Sequence, residues 1–252
     1  MCEMDVQAVI ERARSRFDSE LHTDAYKKVH SDSAHLDALM KMLDIRAGGR
    51  YLDLGTGNGY LAFEMSRRFP DTCVTGLDIA SNSIRMNQEI CRQQGIANLD
   101  FLSYDGMRLP FQDAWFAGVI SRYVFHHVPE PAACVQELGR VTSADGFVLI
   151  SDPLTYDEDA DGFVDRFQQL KADGHVHFYG QQELDDLFTA HGFARESRFF
   201  TTVSYPRDLS EAYLRLFEAT PQPILERYCI DVREKIVNIT VKVMNVLYRK
   251  CG

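Results

Sequence analysis

The segment Tyr51-Leu52-Asp53-Leu54-Gly55-Thr56-Gly57-Asn58-Gly59-Tyr60 runs from an apolar stretch straight into a glycine-rich turn. Glycines at such a turn let the chain bend sharply and let a ligand approach the main chain. Free N–H groups at the start of the following helix can then donate to an oxygen. A second acid, Asp78, closes the next apolar stretch, Val74-Thr75-Gly76-Leu77-Asp78. A carboxylate there can accept both hydroxyls of a ribose, so the pair of features points to nucleotide binding. Tyr60 stands where a dinucleotide turn needs a third small residue. That disfavours a pyrophosphate ligand, and with it a nicotinamide-dependent oxidoreductase.

The elements that must position these residues follow a β-then-α rhythm. Short apolar runs at Tyr51 to Leu54, Cys73 to Leu77, Leu99 to Leu102, Ala117 to Ile120 and Phe147 to Ile150 alternate with helical stretches, which predicts a parallel sheet covered by helices. Ahead of it, Val6, Val9, Ile10, Ala13 and Phe17, then Leu36, Leu39, Met40 and Leu43, recur at helical spacing. We therefore expect an N-terminal helical cap over residues 1–45 and a main domain over 46–252. Helical insertions are expected at about 152–180, around Phe163, Phe167 and Leu170, and at 208–236, broken at Pro221 and Pro223. A strand is expected from about Arg195 to Ser204. The run Ile239 to Tyr248 reads either as a returning antiparallel strand or as helix.

Composition narrows the function classes. Asp+Glu 37 against Lys+Arg 27 gives a net charge of -10, which argues against a phosphate backbone as partner. No stretch approaches the roughly 20 apolar residues of a membrane span, and the acidic start Met1-Cys2-Glu3-Met4-Asp5 is unlike a secretory signal, so the expected location is the cytoplasm. Six cysteines without a CxxC pair suit reduced thiols better than a disulfide frame or a structural zinc site.

The pattern Leu-Asp-Leu-Gly-Thr-Gly-Asn-Gly over residues 52–59 resembles the first motif of the class I S-adenosylmethionine-dependent methyltransferases. Later segments keep the likeness in order. Asp78-Ile79 is similar to the acidic ribose position and its apolar neighbour on adenine, and Tyr104-Asp105-Gly106 to the stretch where an Asp meets the adenine amino group. Ser121-Arg122-Tyr123-Val124-Phe125-His126-His127-Val128 is similar to the fourth-strand segment passing the methionine part of the cofactor, and Leu138 to Ile150 matches the helix and strand after it. The closest resemblance is to small-molecule enzymes such as the ubiquinone and menaquinone C-methyltransferases. Ser83 departs from the pattern, standing where relatives often place a methionine. The resemblance implies a Rossmann-like α/β three-layer sandwich. Its mostly parallel seven-stranded sheet would carry an antiparallel C-terminal strand, with the N-terminal helices and the insertions as a lid. It also implies S-adenosyl-L-methionine as cofactor, held by Asp53, Gly55, Thr56, Gly57, Asn58, Gly59, Asp78, Ile79, Tyr104, Asp105, Gly106 and Ser121. Asp53 would organise the loop or meet the cofactor ammonium.

The implied reaction is methylation of a small-molecule acceptor. An in-line displacement draws much of its acceleration from orientation alone, but an oxygen acceptor or an acidic carbon also needs a base. The candidates are His126, His127 and Tyr123, with Asp152, His175 and His177 behind them. His175 and His177, two apart, lack an acid or thiol nearby in sequence, so no metal is expected. Tyr156, Phe163, Phe167, Phe178 and Tyr179 could wall the acceptor pocket or simply form core. A non-catalytic protein that binds S-adenosylmethionine or S-adenosylhomocysteine would carry the same motifs. A nucleic-acid amino methyltransferase is disfavoured because Ser121-Arg122-Tyr123-Val124 lacks the Asn/Asp-Pro-Pro-aromatic tetrapeptide. The acidity is local: residues 152–196 hold eleven acids and three bases, whereas 207–252 hold six acids and eight bases. A negative lid of this kind would favour a neutral or cationic acceptor over a phosphorylated one.

Overall fold

The computed structural model describes residues 5–20 and 32–252. Helices α1 (Val6–Glu20) and α2 (Ser33–Met42) form where the apolar spacing predicted them, while residues 1–4 and 21–31 of that region lie outside the described residues. Asp32 starts α2 by accepting from the N–H groups of Ala34 and His35, which a helix start would otherwise leave unpaired. The alternation then unfolds as β1 (Arg50–Leu54), α3 (Tyr60–Arg68), β2 (Cys73–Asp78), α4 (Ser81–Gln94), β3 (Leu99–Ser103), β4 (Phe116–Arg122), a 3₁₀ turn (Phe125–His127), α5 (Pro131–Val141) and β5 (Thr142–Pro153). After β5 come α6 (Phe163–Gln169), α7 (Gln181–Ala190), β6 (Phe193–Asp208), α8 (Glu211–Glu218), α9 (Gln222–Arg227), β7 (Asp231–Arg233) and β8 (Ile236–Lys250).

The sheet order is β3-β2-β1-β4-β5-β8-β6. Strands β1 to β5 pair in parallel, and β8 enters antiparallel between β5 and β6, so the sheet is the mostly parallel Rossmann-like one. The run Ile239 to Tyr248 is therefore strand. Its first half alternates buried and half-buried residues, whereas residues 243–248 are buried throughout because both sheet faces are covered there. That change of pattern within one strand is why its periodicity was ambiguous.

Three expectations need correction. The second insertion is helical only over α8 and α9; past Arg227 the chain forms β7, which pairs with the start of β8 as a hairpin turning at Glu234 with φ 52°. The first insertion holds one seven-residue helix, α6, whose Phe163 and Phe167 are buried while Leu170 is 42% exposed. Strand β6 runs past Ser204 to Asp208, since β8 offers it a partner along its whole length.

Helices cover both faces. Leu36 and Leu39 of α2, Leu61 and Met65 of α3 and Ile84 of α4 pack on one side, and Val135 and Leu138 of α5 with Leu184 and Phe188 of α7 on the other. A third cluster, Phe163, Phe167, Tyr205, Tyr213 and Tyr228, joins α6 and α8 to the far ends of β6 and β8. Among the described residues no helix is long and apolar enough to cross a membrane. The Phe188 ring is fully buried and stacks on Tyr248 at 4.1 Å and 5°, pinning α7 to the sheet. Truncating Phe188 to Ala should cost about 3–5 kcal/mol of unfolding free energy. Urea titration checks this; a loss under about 1 kcal/mol would mean that the stack does not hold the helix.

Candidate functional site

The glycine turn is built from the carboxyl ends of β1 and β2. Gly55 and Thr56 donate their N–H groups to the Leu77 carbonyl (2.7 and 3.0 Å), locking the turn to β2. Asp78 Oδ2 accepts from Gly57 N–H (2.7 Å) and Oδ1 from Ala80 N–H (2.8 Å), and Asn87 donates to the Gly57 carbonyl (2.9 Å). Thr56 Oγ1 donates to Asp53 Oδ2 (2.7 Å). Burial pushes the Asp78 carboxyl up and lifts Asp53 to about 7, with Thr56 opposing the latter shift. Gly55 sits at φ +72°, and a Cβ there would stand 2.1 Å from Val124 Cγ2, so the main chain passes as close to Val124 as a glycine permits.

Above this turn lies a cleft of about 1030 Å³, counted to its open mouth. Of the residues expected to hold the cofactor, Asp53, Gly55, Thr56, Gly57, Asn58, Asp78, Ile79, Tyr104 and Gly106 line it together. Gly59, Asp105 and Ser121 do not. Gly59 caps α3 in a left-handed conformation, and Ser121 is fully buried within β4. Asp105 Oδ1 turns back to accept from the N–H groups of Met107 and Arg108, as a short acid in a loop readily does. Ser83 also stays out of the lining.

The opposite wall comes from the N-terminal part of the expected lid; no residue of the insertions at 152–180 and 208–236 lines the cleft. Helix α1 contributes Ile10, Ala13 and Phe17, and Arg122 lies in the cleft 5.4 Å from the Tyr60 ring and 4.3 Å from that of Tyr123. Helix α1 is fastened by Arg14 Nε donating to the Ile79 carbonyl (3.3 Å), by Asp18 accepting from Asn82 N–H (2.8 Å) and by Glu20 facing Lys171 (3.4 Å). None of Tyr156, Phe163, Phe167, Phe178 and Tyr179 lines the cleft; they belong to the packed clusters.

The turn after β4 is organised from β5. Asp152 Oδ2 accepts from Val124 and Phe125 N–H (3.0 and 2.9 Å), and its Oδ1 holds His126 Nδ1. Asp152 is thus a positioning group, and Tyr123 and His127 line the cleft while His126 does not. Tyr123 takes φ 58°, an uncommon conformation for a side-chain-bearing residue. Three imidazoles gather here, with ring centres 4.2 Å apart for His126 and His127, 5.5 Å for His126 and His175, and 6.2 Å for His127 and His175.

His175 and His177 do have an acidic partner, ten and twelve residues upstream on α6. Asp165 accepts from His175 Nε2 (2.8 Å), His177 Nδ1 (2.6 Å) and Phe178 N–H (2.8 Å), while His177 Nε2 meets Glu183 at 3.1 Å. No local sequence rule connects a helix residue to a loop that distant. Donating to two carboxylates holds the His177 imidazole charged, the Asp165 bond leading, with its pKa raised to about 9. A folded value above the ordinary 6.5 means that this bond stabilises the fold fully below that ordinary value and fades as pH rises through about 9. Urea unfolding from pH 6 to 10 should therefore show a stability loss in the wild type that His177→Gln lacks. Parallel profiles would contradict it.

The acids of residues 152–196 are also accounted for differently than expected. Asp152, Asp159, Asp165, Asp173 and Asp185 serve hydrogen bonds or ion pairs within the fold, and the acids that line the cleft are Asp53 and Asp78. Among the described residues, none of the acids of 152–196 lines the cleft.

A glycine turn at the switch of a doubly wound sheet, with acids at the ends of β1 and β2, defines a nucleotide-cofactor enzyme of the Rossmann-like class. Residues 45–192 match the family model described as "Methyltransferase domain", and the chain belongs to that family, whose methyl donor is S-adenosylmethionine. It is similar to the "Uncharacterized methyltransferase YcgJ" of Bacillus subtilis (strain 168), 28% identical over 70% of this chain and 68% of the relative. The YcgJ crystal structure superposes with a TM-score of 0.76 at 21% identity, covering 88% of this chain and all of that one. The 27-O-demethylrifamycin SV methyltransferase of Amycolatopsis mediterranei (strain S699) is 33% identical over 50% of this chain, which spans about half (48%) of that relative's length. Geranyl diphosphate C-methyltransferase from Streptomyces coelicolor A3(2), solved with S-adenosyl-L-homocysteine, shares the fold at a TM-score of 0.70 and 14% identity, over 96% of this chain and 98% of that one.

Proposed function

We propose that the chain transfers the methyl group of S-adenosylmethionine to a small molecule held between the glycine turn and α1. The observation that carries this is the cleft itself. Nine of the residues that the sequence motifs marked for the cofactor share it with apolar side chains of α1 and with Tyr123 and His127. The residues fit the group chemically: a glycine turn whose main chain borders the cleft at Gly55 and Gly57, a buried acid at Asp78 for ribose hydroxyls and a second at Asp53 for a cationic head. When bound, the cofactor supplies a methyl group on a cationic sulfur, open to in-line displacement. Ile79 and Tyr104 would flank the adenine, and α1 would exclude water from the reacting end. The relative named for 27-O-demethylrifamycin SV supports a small-molecule acceptor, as does a cleft whose described walls carry one arginine and no lysine.

Thermal unfolding with S-adenosylmethionine, S-adenosylhomocysteine and NAD tests the reading. A ligand at one hundred times its Kd stabilises by about 2.7 kcal/mol, a readable shift. The first two should stabilise the protein and NAD should not; stabilisation by NAD alone would sink the proposal.

A further inference from the structure

We propose that Arg14 is a positioning residue through which α1 relays occupancy of the adenine side of the cleft to the turn that faces the acceptor. The inference rests on the methyltransferase reading above and concerns how the two ends of the cleft are joined. Arg14 spans two loops: its Nε donates to the Ile79 carbonyl after β2 (3.3 Å) and its Nη2 to the Asp105 carbonyl after β3 (3.4 Å), while Nη1 meets Glu11 (2.7 Å). These loops carry Ile79, Tyr104 and Gly106 into the cleft. The planar fork of a guanidinium makes the bridge possible, whereas an ammonium presents one point charge. Between the same loops Ile10 of α1 meets Ile79 across Gly106, where a Cβ would stand 3.1 Å from the first side chain and 3.2 Å from the second.

The other flank of α1 is joined to the acceptor side. Gly174 takes φ +83°, and its main chain runs so close to α1 that a Cβ there would stand 3.0 Å from Ala13 Cβ and 3.2 Å from the Val9 carbonyl oxygen. Lys171 links Glu20, the last residue of α1, to Asp173 (3.4 and 3.1 Å). Just beyond Gly174, the N–H groups of Val176 and His177 donate to the His126 carbonyl (2.9 and 3.2 Å) and so hold the 3₁₀ turn that carries His127 into the cleft. Phe17 of α1 also lies edge-on to His127 at 5.1 Å.

Contiguous contacts alone do not couple two sites; an element with two states that both ends bias does. Docking of α1 is that element. A helix of 15 residues is marginal by itself in water, so its order depends on what it packs against. Of its side chains Val9, Ile10 and Ala13 are buried, and its bonds to Ile79 and Asp105 lie at the long end of the hydrogen-bond range. Undocking α1 therefore costs less than opening the sheet. A ligand packed on Ile79, Tyr104 and Gly106 fixes the loops whose carbonyls Arg14 bridges and covers Ile10 and Ala13, so it binds the docked state more tightly and shifts α1 toward it. By reciprocity, docked α1 raises the affinity for that ligand by the same factor.

Amide hydrogen exchange on the whole chain, free and saturated with S-adenosylhomocysteine or with adenosine, tests the relay. Adenosine lacks the amino-acid end of the cofactor, so protection it confers beyond the adenine loops has to be transmitted. In the wild type either ligand should slow exchange of the α1 amides and of Val176 and His177 by about tenfold or more. In Arg14→Ala at equal saturation the loops after β2 and β3 should stay protected while the gain at Val176 and His177 falls below about twofold, and Arg14→Lys, which keeps the charge without the fork, should lie between. Lys171→Ala cuts the other end: α1 should keep its gain, and Val176 and His177 should lose most of theirs. Ligand protection of Val176 and His177 that is undiminished in Arg14→Ala or in Lys171→Ala, or wild-type protection confined to the two loops, overturns the relay while leaving the cofactor reading intact. Failure of the wild type to bind either ligand overturns the cofactor reading instead.

Discussion

Asp78→Ala should abolish cofactor binding, lowering the affinity for S-adenosylhomocysteine by about 100-fold or more in calorimetry. Two hydrogen bonds from ribose hydroxyls to an ionised carboxylate contribute about 1.5–3 kcal/mol each, and about 1.4 kcal/mol is a factor of ten. The substitution has a second effect on the loop itself. Asp78 also accepts from Gly57 and Ala80 N–H, so its removal takes the acceptor from one donor of the glycine turn and from one at the start of α4. Asp78→Asn keeps one acceptor oxygen and should fall between the wild type and the alanine variant. Affinity within about threefold of wild type for Asp78→Ala would place the ribose elsewhere.

The second large effect is expected at Gly55, and here strain and crowding can be measured apart. Gly55→Ala puts a side chain into the left-handed region, costing about 1–2 kcal/mol, and drives its Cβ into Val124, an overpacking cost of about 1–3 kcal/mol. Together these correspond to a fall in Tm of roughly 5–15 °C for a domain of this size, with loss of cofactor binding. Val124→Ala removes the two methyl groups that stand 2.1 and 2.8 Å from the new Cβ and leaves Val124 Cβ at 3.0 Å. In the double variant the crowding part should return and the backbone part should not. A double-mutant cycle reads the coupling directly, and strictly additive melting temperatures would show that Val124 does not fix the path of the turn.

What was legible beforehand follows the range over which each feature is encoded. The glycine turn, Asp78 and the alternation of strands and helices are local patterns, and the structure brings Asp53, Gly57 and Asp78 into one cleft together with Tyr104, which only the family resemblance had marked. Strand β8 was half legible because its two halves meet different surroundings. The α1 wall was legible only through the family resemblance, which set the N-terminal helices over the site: by themselves Ile10, Ala13 and Phe17 read as an ordinary apolar helix stripe, and nothing local says that the stripe faces a ligand instead of core. Asp165 was missed for the same reason, and the aromatic residues of 156–179 misled because a run of rings looks alike whether it lines a cavity or fills one. Arg122 was visible within the fourth-strand motif, where a lone cation among apolar residues was the available signal.

The place of β8 has a consequence for how the sheet is assembled during synthesis. Of the strands in this sheet it leaves the ribosome after all the others, yet it lies between β5 and β6, pairing Phe147 with Arg249 and Phe193 with Lys250. Until it emerges, β6 has no strand to pair with among the described residues and β5 presents an open edge along Phe147, Val148, Leu149 and Ile150, the kind of surface that nascent chains expose to chaperones and to one another. Messages truncated before codon 236 should therefore yield a product that aggregates, even though every residue lining the cofactor cleft has already been translated.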